Sequence, residues 1–230
     1  MTVHILLTGA SRGIGAAIAS TLHDSGARVI ALSSKDGDFA DPDVPAQVWD
    51  SALAALDGRV DVLINNAGVF EANPIDAEDA DWLANWHRTL QINLTAAADL
   101  SRRFVRHRLD TGGGGRIVNI ASRAAHRGDS PAHWHYAAAK AGMVAMTKTI
   151  ARGYARDGLL AFAICPGFTM TGMAEDYLAS RGGDKLLADI PLGRVATPDE
   201  IGEMARWCAL AAPPSMTGAV LDANGASYVR

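Results

Sequence analysis

The sequence predicts an α/β fold: a doubly wound parallel sheet of six or seven strands in one domain spanning residues 1–230. Three observations carry this. Short apolar runs of strand length alternate with helical patterns along the whole chain. The first run passes through a glycine-rich turn straight into a helix. Residues 60–64 form a mostly apolar run, the pattern of a strand covered on both faces. A chain of 230 residues, 49% hydrophobic and 20% charged, is long and apolar enough to bury a sizeable core.

Residues 4–7 are the first strand, followed by Thr8-Gly9-Ala10-Ser11-Arg12-Gly13-Ile14-Gly15 and an alanine-rich helix with Ile14, Ile18 and Leu22 at spacing four. Gly26 is its stop signal. Strand, glycine loop and helix in this order make a dinucleotide cradle. Gly9 allows the tight turn, and Gly13 and Gly15 let backbone N–H groups approach a pyrophosphate. The glycine spacing is G-x-x-x-G-x-G, not G-x-G-x-x-G, and a plain strand-to-helix connection could also use it.

Residues 28–32 are the second strand. The crossover helix between second and third strands is missing: Ser33-Ser34-Lys35-Asp36-Gly37 is too short to return the chain for a parallel strand. The third strand is therefore lost or survives as an extended edge segment near Asp38. Asp43 is expected to cap a helix with Pro45 in its first turn and Val44, Val48, Ala52 and Leu56 along one face. The strand at 60–64 ends in Asn65-Asn66-Ala67-Gly68, small and polar, where a ligand could lie over strand ends.

A long helix is predicted over 79–109, with Trp82, Trp86, Leu90 and Leu94 as a core stripe and Asn93, a poor helix former, beside it. Arg102, Arg103, Arg106, His107 and Arg108 read as a solvated helix end that complements the dipole. Residues 159–164 form a strand closed by Pro166-Gly167, followed by Phe168-Thr169-Met170-Thr171. Residues 174–193 are helix-like but broken at Gly182-Gly183, as a mobile lid or a plain helical hairpin would be. Pro198 opens the last helix, and 219–221 is the last strand.

The chemistry centres on residues 116–140. A strand over 116–121 places Ser122 at its end. Tyr136 and Lys140 follow on one helix, and spacing i, i+4 puts phenol and ammonium on one face. A cation beside a phenol favours the phenolate, so the tyrosine pKa is expected to fall from about 10. Such a tyrosine can exchange a proton with an alcohol, with Ser122 bonding the same oxygen. The spacing alone is weak evidence.

The net charge of −4 argues against a nucleic-acid partner. No run is long enough to span a membrane and the N-terminus has no leader pattern, so a cytoplasmic protein is expected. Cys165 and Cys208 have no metal-ligand spacing and read as buried free thiols. His133 and His135 read as helix-start residues, and no metal is expected.

Together, TGASRGIG, NNAG, Asn93, Ser122, Tyr136-x-x-x-Lys140, PGFTMTGM and the later PLGRVATPDEIGEMARWCA resemble the short-chain dehydrogenase/reductase family, especially its 3-oxoacyl reductase-like members. The resemblance covers nearly the whole chain and implies a Rossmann-type sheet. It implies an NAD(P)(H)-dependent oxidoreductase that moves a hydride between nicotinamide and a ketone or secondary alcohol. Tyr136 would be the general acid/base, and Lys140 would bind the nicotinamide ribose and lower the tyrosine pKa. Ser122 would hold the substrate oxygen, and Asn93 a water of a proton relay. Cofactor contacts are implied for Gly9, Ser11, Arg12, Gly13, Ile14 and Gly15 of the loop, and for Ser33, Ser34 and Asp38 on the adenosine side. They are implied also for Asn66, Ala67, Gly68, Tyr136, Lys140, Pro166, Gly167, Thr169 and Thr171.

Three departures stand out: the missing crossover, a Ser122–Tyr136 segment one residue longer than usual, which predicts a bulged loop, and Ala223-Asn224-Gly225 in place of Asp-Gly-Gly. Ser33 stands where NAD-selecting members carry an acid. With Ser34, Lys35 and Arg12 it favours NADP(H); Asp36 speaks for NAD(H). Phe70, Arg123, His126, Arg127, His133, Trp134 and Phe168 are candidate substrate-pocket residues. Arg123, His126 and Arg127 could hold an anion or form a solvated loop. A homotetramer, or a homodimer, is implied, pairing through the helices of Asn93 and Tyr136. A non-catalytic redox sensor of the same fold is the alternative; a nucleotide-sugar epimerase would need a longer chain.

Overall fold

The computed structural model describes residues 2–171 and 183–230. Among these residues six parallel strands form one sheet: β1 (His4–Leu7), β2 (Arg28–Ala31), β3 (Val62–Asn65), β4 (Gly115–Ile120), β5 (Leu159–Pro166) and β6 (Val220–Ala223), in the order β2-β1-β3-β4-β5-β6. Between them run α1 (Gly13–Asp24), α2 (Val44–Ala55), α3 (Asp79–Leu90), α4 (Ala96–Thr111), α5 (Ala124–Arg127), α6 (Trp134–Tyr154), α7 (Gly183–Ala188) and α8 (Pro198–Leu210).

The strands alternate their side chains between two apolar layers, as a period of two requires. Leu6, Leu63, Ile117 and Ala161 pack with Val48, Trp49 and Ala52 of α2, Leu100 and Phe104 of α4, and Ile150 of α6. Ile5, Leu7, Val62, Ile64, Val118, Ile120, Phe162 and Ile164 pack on the other side with Ile18 and Leu22 of α1 and Ile201, Ala205 and Cys208 of α8. Both faces are covered, which explains the apolar runs read from the sequence. Cys165 and Cys208 are buried free thiols.

Of the two outcomes open for the third strand, loss is the one found: residues 33–43 form turns, and β2, half-exposed, is the sheet edge. Four expectations are corrected. Asp43 stands at the α2 N-cap position without a side-chain capping bond. The long helix is interrupted by a π turn, Gln91–Thr95. Its aromatic stripe is not core, since Thr89 is the buried residue of α3 while Trp82 and Trp86 are half-buried and stacked at 5.3 Å. Arg108 is not solvated either. It is buried and donates to the carbonyl oxygens of Gly113 and Gly114 at 2.7–3.1 Å, closing the turn into β4. Of the expected lid over 174–193, residues 174–182 lie outside the described residues, and α7 falls within its second half.

Candidate active site

Parallel strands bring the C-terminal ends of β1, β3, β4 and β5 to one rim of the sheet. The chain winds outward from β1 to β2 on one side and to β3 on the other, and a crevice forms where the winding reverses.

The glycine loop lies at this crevice. Gly9 has φ 70°, and a Cβ there would come within 2.6 Å of the Ala67 Cα. A Cβ on Gly15 would run into the Gly9 carbonyl oxygen. The first-turn N–H groups of α1 have neither a side-chain cap from Arg12 nor an acid beside them. Such a helix start is suited to an anion. Thr171 faces Gly13 across the loop, its Cγ2 2.9 Å from where a Cβ would stand. The missing side chains at Gly9, Gly13 and Gly15, the lack of an Arg12 side-chain cap and a first turn without an acid all fit a dinucleotide pyrophosphate.

Asn66 holds this loop with its side chain: Nδ2 donates to the carbonyl oxygens of Thr8 (3.1 Å) and Gly9 (2.9 Å). Thr8, which the sequence reading did not single out, accepts on Oγ1 the N–H groups of Asn66 and Ala67, each at 3.1 Å. A hydroxyl at the end of a buried strand was the available signal. Ser11 and Arg12 are exposed beside the loop, and Ile14 is half-buried behind it.

The proton-handling residues converge from three elements. Ser122 is buried just beyond β4, its Oγ accepting the Ala124 N–H at 3.1 Å, and lies within hydrogen-bonding reach of the Tyr136 phenol. Instead of a bulge, the lengthened loop carries the short helix α5. Tyr136 and Lys140 sit in the first two turns of α6. Lys140 is 4% exposed and donates to the Ile120 carbonyl at 2.8 Å, with Nζ 5.8 Å from the centre of the Tyr136 ring. Asn93, fully buried in the π turn, exchanges two 2.8 Å hydrogen bonds with the backbone of Val69. Its Oδ1 and the Lys140 Nζ both approach Gly68, within 3.3 and 3.6 Å of a Cβ position. A π turn in a helix often marks a functional position.

The expected direction of the tyrosine pKa is corrected. Burial pushes the Tyr136 phenol up to about 12, and burial pulls the Lys140 ammonium down to about 8. Desolvation of the phenolate is the largest cause and outweighs the Ser122 hydrogen bond, which lowers the value, while the Lys140 ammonium donates to a main-chain carbonyl. In this state Tyr136 keeps its proton at neutral pH, the form a general acid needs.

The far wall is formed after β5. Pro166 accepts the Arg123 N–H at 2.9 Å, and Gly167 is packed against Asn224, 2.8 Å from where a Cβ would stand. Asn224 also donates to the Tyr228 carbonyl at 3.0 Å, so the altered C-terminal motif still closes a packed turn. Thr169 is buried and pairs with Ala196.

The adenosine side is built differently. Asp36 folds back on the end of β2, its Oδ2 accepting the Ser33 N–H at 2.7 Å and the Ser33 hydroxyl at 2.9 Å. These bonds hold its carboxyl below the usual range. Asp38 accepts the Ala40 N–H at 2.9 Å in a second turn, and Ser34 and Lys35 are exposed.

Of the pocket candidates, Phe70 stacks on His133 at 3.9 Å and meets the Tyr136 ring edge-on at 4.8 Å. Trp134, 52% exposed, faces Trp82 instead. Arg127 pairs with Asp189 at 2.9 Å, and Arg123 lies 3.9 Å from the same carboxylate, over the Phe168 ring and bonded to Ser227. These arginines form neither a vacant anion site nor a solvated loop. The protein's own acid takes them.

A family model described as enoyl-(acyl carrier protein) reductase matches residues 9–225. The chain is 33% identical to a 3-oxoacyl-(acyl-carrier-protein) reductase of Vibrio cholerae, with 97% of this chain and 96% of that protein covered. It is 32% identical to a cis-4-hydroxycyclohexanecarboxylate dehydrogenase of Sinomonas cyclohexanicum (96% and 94%) and 35% identical to a D-threitol dehydrogenase of Mycolicibacterium smegmatis (98% and 92%).

Proposed function

Because the chain belongs to the short-chain dehydrogenase/reductase family of NAD(P)-dependent oxidoreductases, we propose that it interconverts a small-molecule ketone and secondary alcohol with Tyr136 as general acid/base. The observation that carries this is the meeting of Ser122, Tyr136 and Lys140 at the rim that also bears the glycine cradle. The bound nicotinamide supplies or accepts the hydride. Ser122 holds the carbonyl oxygen against the phenol, and Tyr136 gives that oxygen its proton in reduction and removes it in oxidation. Lys140 holds ribose hydroxyls and refills the tyrosine's proton. With the Asn93 amide tied to Val69, the relay water takes the second lone pair of Asn93 Oδ1 beside Gly68. Pro166, Gly167, Thr169 and Thr171 wall the nicotinamide side. Residues 1–230 act as one domain that carries both cofactor and catalytic groups.

The relatives differ in what their names say they act on, so the substrate class stays at carbonyl and hydroxyl compounds. For the cofactor, Ser33, Ser34, Lys35 and Arg12 support NADP(H), and Asp36, lying on Ser33, supports NAD(H). Two cations and two hydroxyls outweigh one acid already held by Ser33. The free thiols support a reducing, cytoplasmic setting, and no helix among the described residues is long and apolar enough to cross a membrane. The half-buried face of Trp82, Trp86, Leu90 and Leu94, with Leu83 and Trp134 exposed beside it, supports pairing of subunits into a homotetramer or homodimer. Sedimentation as a monomer at micromolar concentration would refute that pairing.

The experiment is spectrophotometric turnover of NADPH and NADH with a panel of ketones, and of the oxidised cofactors with alcohols. Turnover of one pair that disappears in Tyr136→Phe supports the enzyme. Tight cofactor binding with no turnover across the panel supports a redox sensor instead.

A further inference from the structure

β5 and β6 pair in parallel with Cys165 opposite Asp222, so both side chains leave the sheet on one face. The end of α5 brings in His126, whose Nε2 lies 3.7 Å from the Cys165 Sγ. One donor atom from each of His126, Cys165 and Asp222 lies within 4.8 Å of the other two. His126 and Cys165 are 39 residues apart, so no local spacing in the sequence announces this cluster.

We propose that His126, Cys165 and Asp222 form a binding site for a zinc-class divalent cation immediately beside Ser122. An imidazole, a thiolate and a carboxylate are the donor types zinc takes. Tetrahedral bonds of about 2.0–2.3 Å place ligand atoms roughly 3.3–3.7 Å apart. The histidine and cysteine donors already have that separation, and the carboxylate closes the remainder by a side-chain rotation. A water completes the four ligands. The three residues stand on packed elements, and the His126 ring lies parallel to the Tyr228 ring at 6.1 Å, which orients it. On binding, the sulfur–metal bond forms, the thiol proton passes to solvent, and no oxidation state changes.

Two neighbours say what the site does. The Ser122 N–H lies against the same sulfur. An ion there pulls on the residue that flanks the Tyr136 phenol, whatever the substrate. Arg230 Nε bonds the Asp222 Oδ2 at 2.9 Å. That guanidinium competes with the metal for the carboxylate and repels it.

The test is titration of the purified full chain with Co²⁺, reading thiolate-to-cobalt charge transfer and tetrahedral d–d bands, followed by displacement with Zn²⁺. One equivalent with a sulfur band is expected. Cys165→Ala should abolish the band, His126→Ala should weaken binding about tenfold or more, and Arg230→Gln should tighten it. Absence of a sulfur band at millimolar Co²⁺ would overturn the site, as would binding indifferent to both Cys165→Ala and His126→Ala. Asp222→Asn, at an exposed carboxylate, keeps the test open if a buried variant fails to fold. Weakened binding in it supports the site, and unchanged affinity rejects it.

Discussion

The two ends of the crevice are held in opposite ways. Around Tyr136 the groups sit on β4, α6 and the π turn, are buried, and are bonded to the main chain of other elements: Lys140 to Ile120, Asn93 to Val69. Around Ser33 the groups sit on an exposed edge and bond their near neighbours: Asp36 to Ser33, Asp38 to Ala40. A core-mounted group cannot shift without moving a helix. A turn on the sheet edge can lose a whole crossover and leave the core intact. The contrast separates what governs the chemical step from what selects its cofactor.

The largest test of that separation is Tyr136→Phe. It removes the hydroxyl and leaves the ring that meets Phe70 edge-on. On the order of a thousandfold fall in kcat is expected. Cofactor affinity, measured by fluorescence titration, should barely change. Near-normal turnover would show that another group moves the proton and that the buried end is only structural.

Lys140→Met sharpens the same side through stability. The folded chain holds Lys140 at about 8, against 10.5 for an ordinary lysine. Between those pH values the unfolded chain binds a proton at this site that the folded chain has released. Wild-type stability should therefore rise with pH across that window relative to Lys140→Met, by roughly 3 kcal/mol when complete. Below pH 8 both states are protonated and the difference should be flat. Urea unfolding of both proteins on either side of the window checks this. A parallel pH dependence would mean that the ammonium is not desolvated in solution.

The same contrast explains what could be read without coordinates. The glycine loop, Tyr136-x-x-x-Lys140 and the strand runs are local patterns, and each lies where the sequence places it. Counting the five residues from Ser33 to Gly37 excludes a crossover helix and leaves the third strand lost or reduced to an edge segment; the turns over 33–43 decide for loss. The direction of the Tyr136 pKa was not legible, because i, i+4 spacing fixes proximity but not the carbonyl that Lys140 chooses or the depth of burial. Asn93 was noticed as a poor helix former, yet nothing in Gln91–Thr95 distinguishes a π turn from an α turn. Arg108 and the Arg123–Arg127–Asp189 group depended on distant partners, which a charge run does not reveal.

The smallest effect belongs to the exposed end. If Ser33, Ser34, Lys35 and Arg12 receive a 2′-phosphate, Asp36, which lies on Ser33 itself, repels it. Asp36→Asn removes its charge while an amide oxygen can still accept the Ser33 N–H, so the turn should survive. The NADP(H)/NAD(H) ratio of kcat/KM on one substrate should rise about tenfold, equivalent to about 1.4 kcal/mol. Binding of NADP+ and NAD+ by calorimetry should shift in the same sense, and kcat should not change because Asp36 is remote from Tyr136. A wild-type preference for NAD(H) of tenfold or more, lost in Asp36→Asn, would reverse the cofactor reading and make Asp36 the acid that bonds the ribose 2′-hydroxyl. An unchanged ratio would mean that the carboxylate, held by Ser33, faces away from the ribose and that cofactor choice rests on Arg12 and Lys35.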